Sequence, residues 1–448
     1  MGFIFRLLYR IYRLISGLRY WTARRFTRTG LAMLGAVGVA AILGLDPENS
    51  VGYQGFTLLA GLLTVAGLFS FRFKAAFAAE RLLPRFATAG QPFSYRVTVR
   101  NLTGKKQTGL ALLETLADPR PSVQDWVALQ LDDEKHIRPF RMSQRRRGNP
   151  FRLATVTEGD VPPLPPNQRA EVSIELTPFR RGVVRFDGVT LARADPLGLF
   201  RAFNKVPLAQ SVLILPKRYF VPPVALPGAM RYQQGGVALA SNVGRSDEFV
   251  TVRDYRRGDP MRHIHWRSWA KAGKPIVKEF EDEFFVRHAL VLDTFTERPF
   301  SDAFEEAVSV AASFACTVLT QESLLDLLFV GPQAYCFTAG RGLAHADQML
   351  EILASVRPCH EQPFNALELL VLNHASAVSG CICVLLAWDE ERQRLVEKLK
   401  SLRLPVLVLV IRQPGETEPL ELGPMRDAPE RLHALEIGRI EEQLAEMK

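Results

Sequence analysis

The hydrophobic positions of this chain fall into four successive patterns. At the start, FIFRLLYRIYRLISGLRY (3–20) interleaves arginine with Phe, Leu, Tyr and Ile at near-helical spacing. This predicts an amphipathic helix lying on a membrane surface, with a disordered basic tail as the alternative. Two apolar runs follow, GLAMLGAVGVAAILGL (30–45) and VGYQGFTLLAGLLTVAGLFSF (51–71), separated by DPENS. Sixteen residues at about 1.5 Å each fall a little short of the roughly 30 Å hydrocarbon core, and Phe26 and its neighbours close the gap. The runs predict a transmembrane α-hairpin with helices over about 28–45 and 51–71. A buried core hairpin of a soluble protein is the competing reading.

From Phe77 to about Leu215 the period changes to two. PFSYRVTVRN (92–101), ALLETLADP (111–119), AEVSIELTP (170–178), GVVRFDGVTLARADP (182–196) and SVLILP (211–216) alternate apolar and polar residues between turn residues. This predicts an antiparallel β-sandwich with long loops across Asp118–Arg169. After His288, continuous apolar strands alternate with helices. HALVLDT (288–294), LLDLLFVG (324–331), CICVLLAWD (381–389) and LPVLVLVIR (404–412) read as strands. Ser301–Gln321, Ala344–Val356 and a segment through Lys400 read as helices, Ser301 being an N-cap candidate. The pattern predicts a doubly wound, mostly parallel α/β domain. Ligands of such sheets bind at the carboxyl ends of strands, so Asp293 and Asp389 are expected to face one crevice. The chain is therefore expected to be multidomain, divided as 1–75, 76–216, 217–287 and 288–448.

Charge sharpens the membrane reading. The net charge is +9, and residues 1–29 carry seven arginines and no acid; taking those seven away leaves about +2 for the rest. The basic character belongs to an arm and not to a folded face, which argues against a nucleic-acid partner. Arginines before the first span and Arg72 and Lys74 after the second predict both termini in the cytoplasm. A cleaved signal peptide fits less well, because a second span follows at once. The five cysteines show no zinc spacing, and Cys381 and Cys383 sit in an apolar run, as expected of buried thiols in a reducing compartment.

The densest chemistry is DYRRGDPMRHIHWRSW (254–269). In a strand, His263 and His265 would share one face, which suits a metal pair or an acid–base site, and this is the basis of a hydrolase alternative. The structural alternative accounts for more residues. Gly258 permits a tight turn, and Asp259 before Pro260 can cap a helix carrying Trp266 and Trp269 on one face, with Trp266 buried. Arg262 and Arg267 are then available to pair with Asp254, Glu248 or the acidic run 279–283, pinning the β-rich domain to the α/β domain.

Three segments carry a family resemblance: FRRGVVRFDGVTLARADPLGLF (179–200), DEFVTVRDYRRGDPMRHIHWRSWAKAGKPIVKEFE (247–281) and HALVLDTFTE (288–297). Through them the chain resembles the bacterial membrane-protein family labelled domain of unknown function 58. The resemblance implies an inner-membrane protein with a C-terminal von Willebrand factor A-like domain. It implies association with a MoxR-type AAA+ ATPase and a transglutaminase-like membrane protein, and it supplies no reaction. Signature residues carried over by motif are Arg253, Tyr255, Gly258, Asp259, His265, Trp266 and Arg267. In a metal-binding A-domain the first strand is followed by Asp-x-Ser-x-Ser; here Asp293, Phe295 and Glu297 stand in those places. Asp293, Thr296 and Asp389 remain as a degenerate ligand set for weakly held Mg²⁺, hard oxygen donors being what that ion needs. The expectation is a membrane-anchored, non-enzymatic assembly module without an obligate cofactor, in contact with membrane lipid. A metal-dependent adaptor is the alternative.

Overall fold

The computed structural model describes residues 2–44, 50–70, 73, 75–118, 120–136, 152–222, 249–257, 261, 264–280, 287–298, 300–320, 324–339, 343–416 and 419–447. These form two compact units. The first comprises residues 1–217 with 298–300, and the second 218–297 with 301–448.

The first unit begins with three helices, α1 (Gly2–Arg25), α2 (Arg28–Leu43) and α3 (Ser50–Ser70). Over Val51–Ser70, α3 is long and apolar enough to cross a membrane, whereas α2 is a shorter apolar helix. The α1–α2 junction docks on the turn of the ADPLGLF motif. Asp195 Oδ1 accepts from the amides of Leu199 and Phe200, at 2.7 and 3.0 Å. The turn so formed presents its carbonyls outward. Thr27 caps α2 by accepting from Gly30 N, and its hydroxyl donates to Gly198 O at 2.5 Å. A Cβ at Gly30 would stand 2.0 Å from Leu199 O, so only glycine admits this approach.

The β-rich part is built from two sheets. One has the order β1-β3-β7-β5, from β1 (Phe77–Leu82), β3 (Phe93–Asn101), β7 (Arg169–Pro178) and β5 (Ala154–Val156). The other has the order β2-β9-β8-β4-β6, from β2 (Phe86–Thr88), β9 (Arg201–Leu215), β8 (Gly182–Ala194), β4 (Leu110–Leu116) and β6 (Gly159–Val161). All pairings are antiparallel except β2 with β9. Alternate residues such as Val97, Val99, Ile174 and Leu176 of the first sheet meet Leu112, Phe186, Leu191 and Ile214 of the second in one core. Part of the expected long loop is a helix, α4 (Val123–His136), while residues 137–151 lie outside the described residues.

An ion pair crosses this core. Arg81 of β1 donates to Glu114 of β4 through Nε and Nη2, at 2.9 and 2.5 Å, and both side chains are fully buried. Arg81 Nη1 also donates to Leu208 O and Gln210 Oε1 of β9, and its guanidinium lies 4.4 Å from the Phe186 ring centre. Tyr95 OH donates to Glu114 Oε1 at 3.0 Å. Burial, and then the charge of Glu114, push the Tyr95 phenol well above its usual range, so it stays protonated.

In the second unit one six-stranded sheet has the order β14-β13-β12-β15-β16-β17. Its strands are β12 (Arg287–Leu292), β13 (Leu324–Val330), β14 (Ala334–Ala339), β15 (Gly380–Leu385), β16 (Val406–Arg412) and β17 (Leu432–Glu436). Only the β13–β14 pairing is antiparallel. Strands β12, β13, β15 and β16 are buried nearly throughout, which is why their sequences are continuous and not alternating. One residue set, including Val291, Cys383 and Val408, packs on α8 (Asn365–His374) and α9 (Glu390–Ser401). Helix α6 (Asp302–Thr320) packs on β12, β13, β15 and β16, and α7 (Leu343–Ser355) packs on α6 and β14. Ser301 Oγ accepts from Phe304 N at the start of α6. The five cysteines are free thiols.

Breaking a buried pair strands a charge, so Arg81→Met should destabilise the chain by about 3–5 kcal/mol. Adding Glu114→Gln should restore much of this loss. Thermal unfolding of the purified full chain measures both, and an unchanged midpoint for Arg81→Met would contradict the role given to this pair.

Candidate functional site

The sheet order places the topological switch point between β12 and β15, where the chain first turns one way and then the other. Crevices at this place, at the carboxyl ends of strands, are where open α/β sheets bind ligands. Asp293 follows β12 here and is fully buried, and its amide donates to Val384 O of β15. Asp293 Oδ1 accepts from Phe295 N at 2.9 Å, and Oδ2 accepts from Leu386 N at 3.0 Å.

The position in front of Asp293 is filled by a guanidinium. Arg392, on the first turn of α9, donates from Nε to Asp293 Oδ2 at 2.6 Å and from Nη1 to Asp389 Oδ2 at 2.5 Å. Asp389 is the N-cap of α9, its Oδ1 accepting from Arg392 N at 3.1 Å. Arg392 Nη2 reaches Phe295 O at 3.4 Å, and its Cζ lies 4.8 Å from the Phe364 ring centre. The Phe295 ring meets Phe364 edge-on at 5.4 Å. Burial alone would pull the Arg392 guanidinium down, but Asp293 and then Asp389 outweigh it and hold it above its ordinary value. Arg392 therefore carries positive charge at the place of the degenerate ligand set, and it engages both of that set's aspartates. Thr296 follows on the same loop, half-buried. Among the described residues, no group of three or more His, Cys, Asp or Glu is placed to hold a metal ion.

The Asp293 loop leads to a cavity of about 390 Å³ whose lining includes Phe329, Tyr335, Phe337, Val356, Cys359 and His360. Cys359 N donates to Thr294 O, and Thr294 Oγ1 donates to Val330 O, so the cavity and the switch point share one loop. The three rings stack at 5.1–6.1 Å, a wall suited to an apolar side chain.

The signature segment forms its own small element. Strands β10 (Phe249–Asp254) and β11 (Ile276–Phe280) pair antiparallel, with Arg253 opposite Val277 and Asp254 opposite Ile276. Tyr255 N donates to Pro275 O. Helix α5 (Trp266–Ala272) is attached through His265 N to Ile276 O and through buried Ile264, bridged to Val277. His265 is therefore not in a strand. It occupies the N-cap position of α5, with Nδ1 2.6 Å from Ser268 Oγ. His263, Gly258 and Asp259 lie outside the described residues.

One expectation is corrected. Trp266 is not buried: it is 64% exposed and stacks on Trp269 at 5.2 Å, the two rings 13° apart. The seven-residue α5 packs on β11 with its own small buried anchor at Ile264 and Val277, so the first tryptophan covers the second and not a core. Asp254 pairs with Lys274 Nζ at 2.7 Å, and Arg267 is exposed.

A family model described as "Protein of unknown function DUF58" matches residues 251–443. The uncharacterized protein YeaD of Bacillus subtilis (strain 168) is 30% identical over 185 residues, which is 41% of this chain and 45% of that protein. The chain thus matches less than half the length of this curated relative. Among solved structures, a CARDB domain from Pyrococcus furiosus is 12% identical, covering 31% of this chain and 93% of that one at a TM-score of 0.16. Trypsin-activated alpha-2-macroglobulin from Escherichia coli is 10% identical, covering 74% and 21% at 0.19. Scores this low carry no argument about the fold.

Arg392→Ala leaves Asp293 as a buried, unbalanced carboxylate and should cost about 3–5 kcal/mol, with Asp293→Asn added to it recovering part. In the unaltered chain, millimolar Mg²⁺ should not shift the melting temperature, since a ligand stabilises only the state it binds. An Mg²⁺-dependent rise abolished by Asp293→Ala would show that the guanidinium is displaced by metal.

His288 on β12 is 2% exposed, and its Nδ1 has no hydrogen-bond partner among the described residues. Burial lowers its pKa from 6.5 to about 4. The folded form thus keeps the ring neutral where the unfolded chain protonates it. Stability present above pH 6.5 should decline as pH falls towards 4, by up to about 3 kcal/mol. His288→Leu should flatten this part of the stability–pH curve, and an identical slope in both proteins would contradict the assignment.

Proposed function

We propose that this protein is a membrane-anchored, non-enzymatic docking platform whose C-terminal α/β domain recognises a protein partner without a metal ion. The observation that carries the reading is the Trp266–Trp269 stack, held out on α5 within the family-matched segment. Exposed tryptophan beside arginine is the composition of interface anchors, and a large ring left in water is unfavourable unless something covers it. The closed Asp293–Arg392–Asp389 cluster supports the metal-independent form of recognition. In this reading the α/β domain is von Willebrand factor A-like and the two sheets of the first unit are a β-sandwich. Helices α2 and α3 form a two-span hairpin in a bacterial inner membrane, with both termini in the cytoplasm. The partner is a MoxR-type AAA+ ATPase, acting together with a transglutaminase-like membrane protein, as the family resemblance implies.

The test is a photo-crosslinker placed at position 266 of the full chain in cells, followed by mass spectrometry of the adducts. An AAA+ ATPase should be captured, and Trp269→Ala should weaken the capture while lowering stability by no more than about 1 kcal/mol, the ordinary cost of a substitution outside a core. Recovery of intramolecular adducts alone would sink the reading.

A further inference from the structure

The first helix is two-sided in an unusual way, because both of its apolar faces can be assigned. One face is used inside the first unit. Tyr9, 8% exposed, donates from its hydroxyl to Pro121 O at 2.7 Å. The rings of Tyr9 and Tyr12 lie 5.9 and 5.8 Å from that of Trp126 on α4. Arg120 Nη1 donates to Arg13 O, and Gly17 faces the same guanidinium. At its end, α1 is gripped again: Arg25 donates to Arg201 O, and its Cζ lies 4.3 Å from the Phe203 ring centre.

The other face has no cover among the described residues. Leu7, Ile11, Leu14 and Leu18 recur at spacings of four, three and four, which places them in one stripe, and they are 46–70% exposed. Ile4, Leu8 and Ile15 widen the stripe and are equally exposed. Exposed Arg6, Arg10, Arg13 and Arg19 surround it, and α1 contains no acidic residue. Only Phe26 and Thr27 separate α1 from α2, and on the turn that grips this junction Leu197 is 46% exposed.

We infer that the outer stripe of α1 is a lipid-docking surface for an anionic membrane, and that it sets the β-rich part of the first unit against the bilayer in a fixed orientation. The inference rests on reading α3 as a membrane span. Charge selects the occupant. A leucine–isoleucine stripe on a helix whose charged residues are all arginines enters the headgroup–acyl boundary and pairs its guanidinium groups with lipid phosphates. The arginine stems cover apolar surface while their heads stay in the polar layer. Two attachments, at Trp126 and at the Asp195 turn, bind α1 along its length. Docking α1 therefore orients the β-strands behind it, and the helix does not act as a loose tether.

The test uses the full chain with Cys316→Ser and Cys336→Ser, spin-labelled through Leu14→Cys or Leu58→Cys. Each protein is placed in nanodiscs of phosphatidylcholine, or of phosphatidylcholine and phosphatidylglycerol in equal parts. Accessibility to oxygen and to a water-soluble nickel chelate is then read at each label. Leu58 lies on α3 and reports the span itself. The expected result is an oxygen-accessible label at 58 in both discs. The label at 14 should change from nickel-accessible to oxygen-accessible only when phosphatidylglycerol is present. Combined Arg6→Gln, Arg10→Gln and Arg13→Gln should abolish that change. A label at 14 that stays nickel-accessible in both discs while 58 is in lipid overturns the inference and leaves the span intact. Equal burial at 14 in both discs overturns the anionic surface. Spin–spin broadening between labels at 14 assigns the stripe to a second copy of the chain and overturns it too. A nickel-accessible label at 58 removes the span and the inference together.

Discussion

The α/β unit depends on one electrostatic constraint: a carboxylate buried at the switch point of its sheet must be balanced. Asp293 satisfies two backbone amides, from Phe295 and Leu386, and thereby holds the chain leaving β12 to the chain leaving β15. That alone would leave a negative charge in an apolar layer, which is costly. Arg392 removes the cost from within the chain, and by binding Asp389 as well it ties the start of α9 to the same place. The crevice in which related architectures hold a ligand is here occupied by the protein's own cation. The surfaces that stay open are elsewhere: the aromatic cavity beside Cys359 and, on α5, the exposed ring of Trp266.

The first unit solves a similar problem between its two sheets. Arg81 and Glu114 are buried completely, and each finds further partners, Gln210 and Leu208 O for one and Tyr95 for the other. Apolar packing of two sheets is tolerant of sliding, whereas a bidentate pair with satisfied neighbours admits one register. The Asp195 turn extends this precision outward, since its carbonyls receive Thr27 and Thr29 at the foot of the apolar helices. A sequence motif with no visible chemistry thus acquires a mechanical meaning: it is the seat on which the helical N-terminal segment is mounted.

Much of this was legible in the sequence. Alternation marked β3, β7 and β8, continuous apolar runs marked β12, β13, β15 and β16, and the two aspartates were placed at one crevice. Helix α4 was missed because a prolyl flank and an acidic second half read as loop, and it is Trp126 packing on Tyr9 and Tyr12 that gives the helix its partner. Strands β14 and β17 are short edge strands with partly exposed patterns, so their apolar signal is weak. Arg392 was missed for a different reason. In EERQRLVEKLKS an arginine among charged residues reads as surface, yet it stands at i, i+3, i+4 and i+7 with Leu395, Val396 and Leu399 on the buried face. That periodicity was the available signal.

The sequence by itself determined the order of elements, the apolar helices near the N-terminus and the change of period from β-rich to α/β, because these follow from local spacing of apolar side chains. Only the tertiary structure decided which cation would meet Asp293, which residues of α1 face the β-rich part, and whether Trp266 would be covered. Each of these depends on what lies opposite in space across tens or hundreds of residues of chain, and periodicity along one segment carries no information about the segment that will face it.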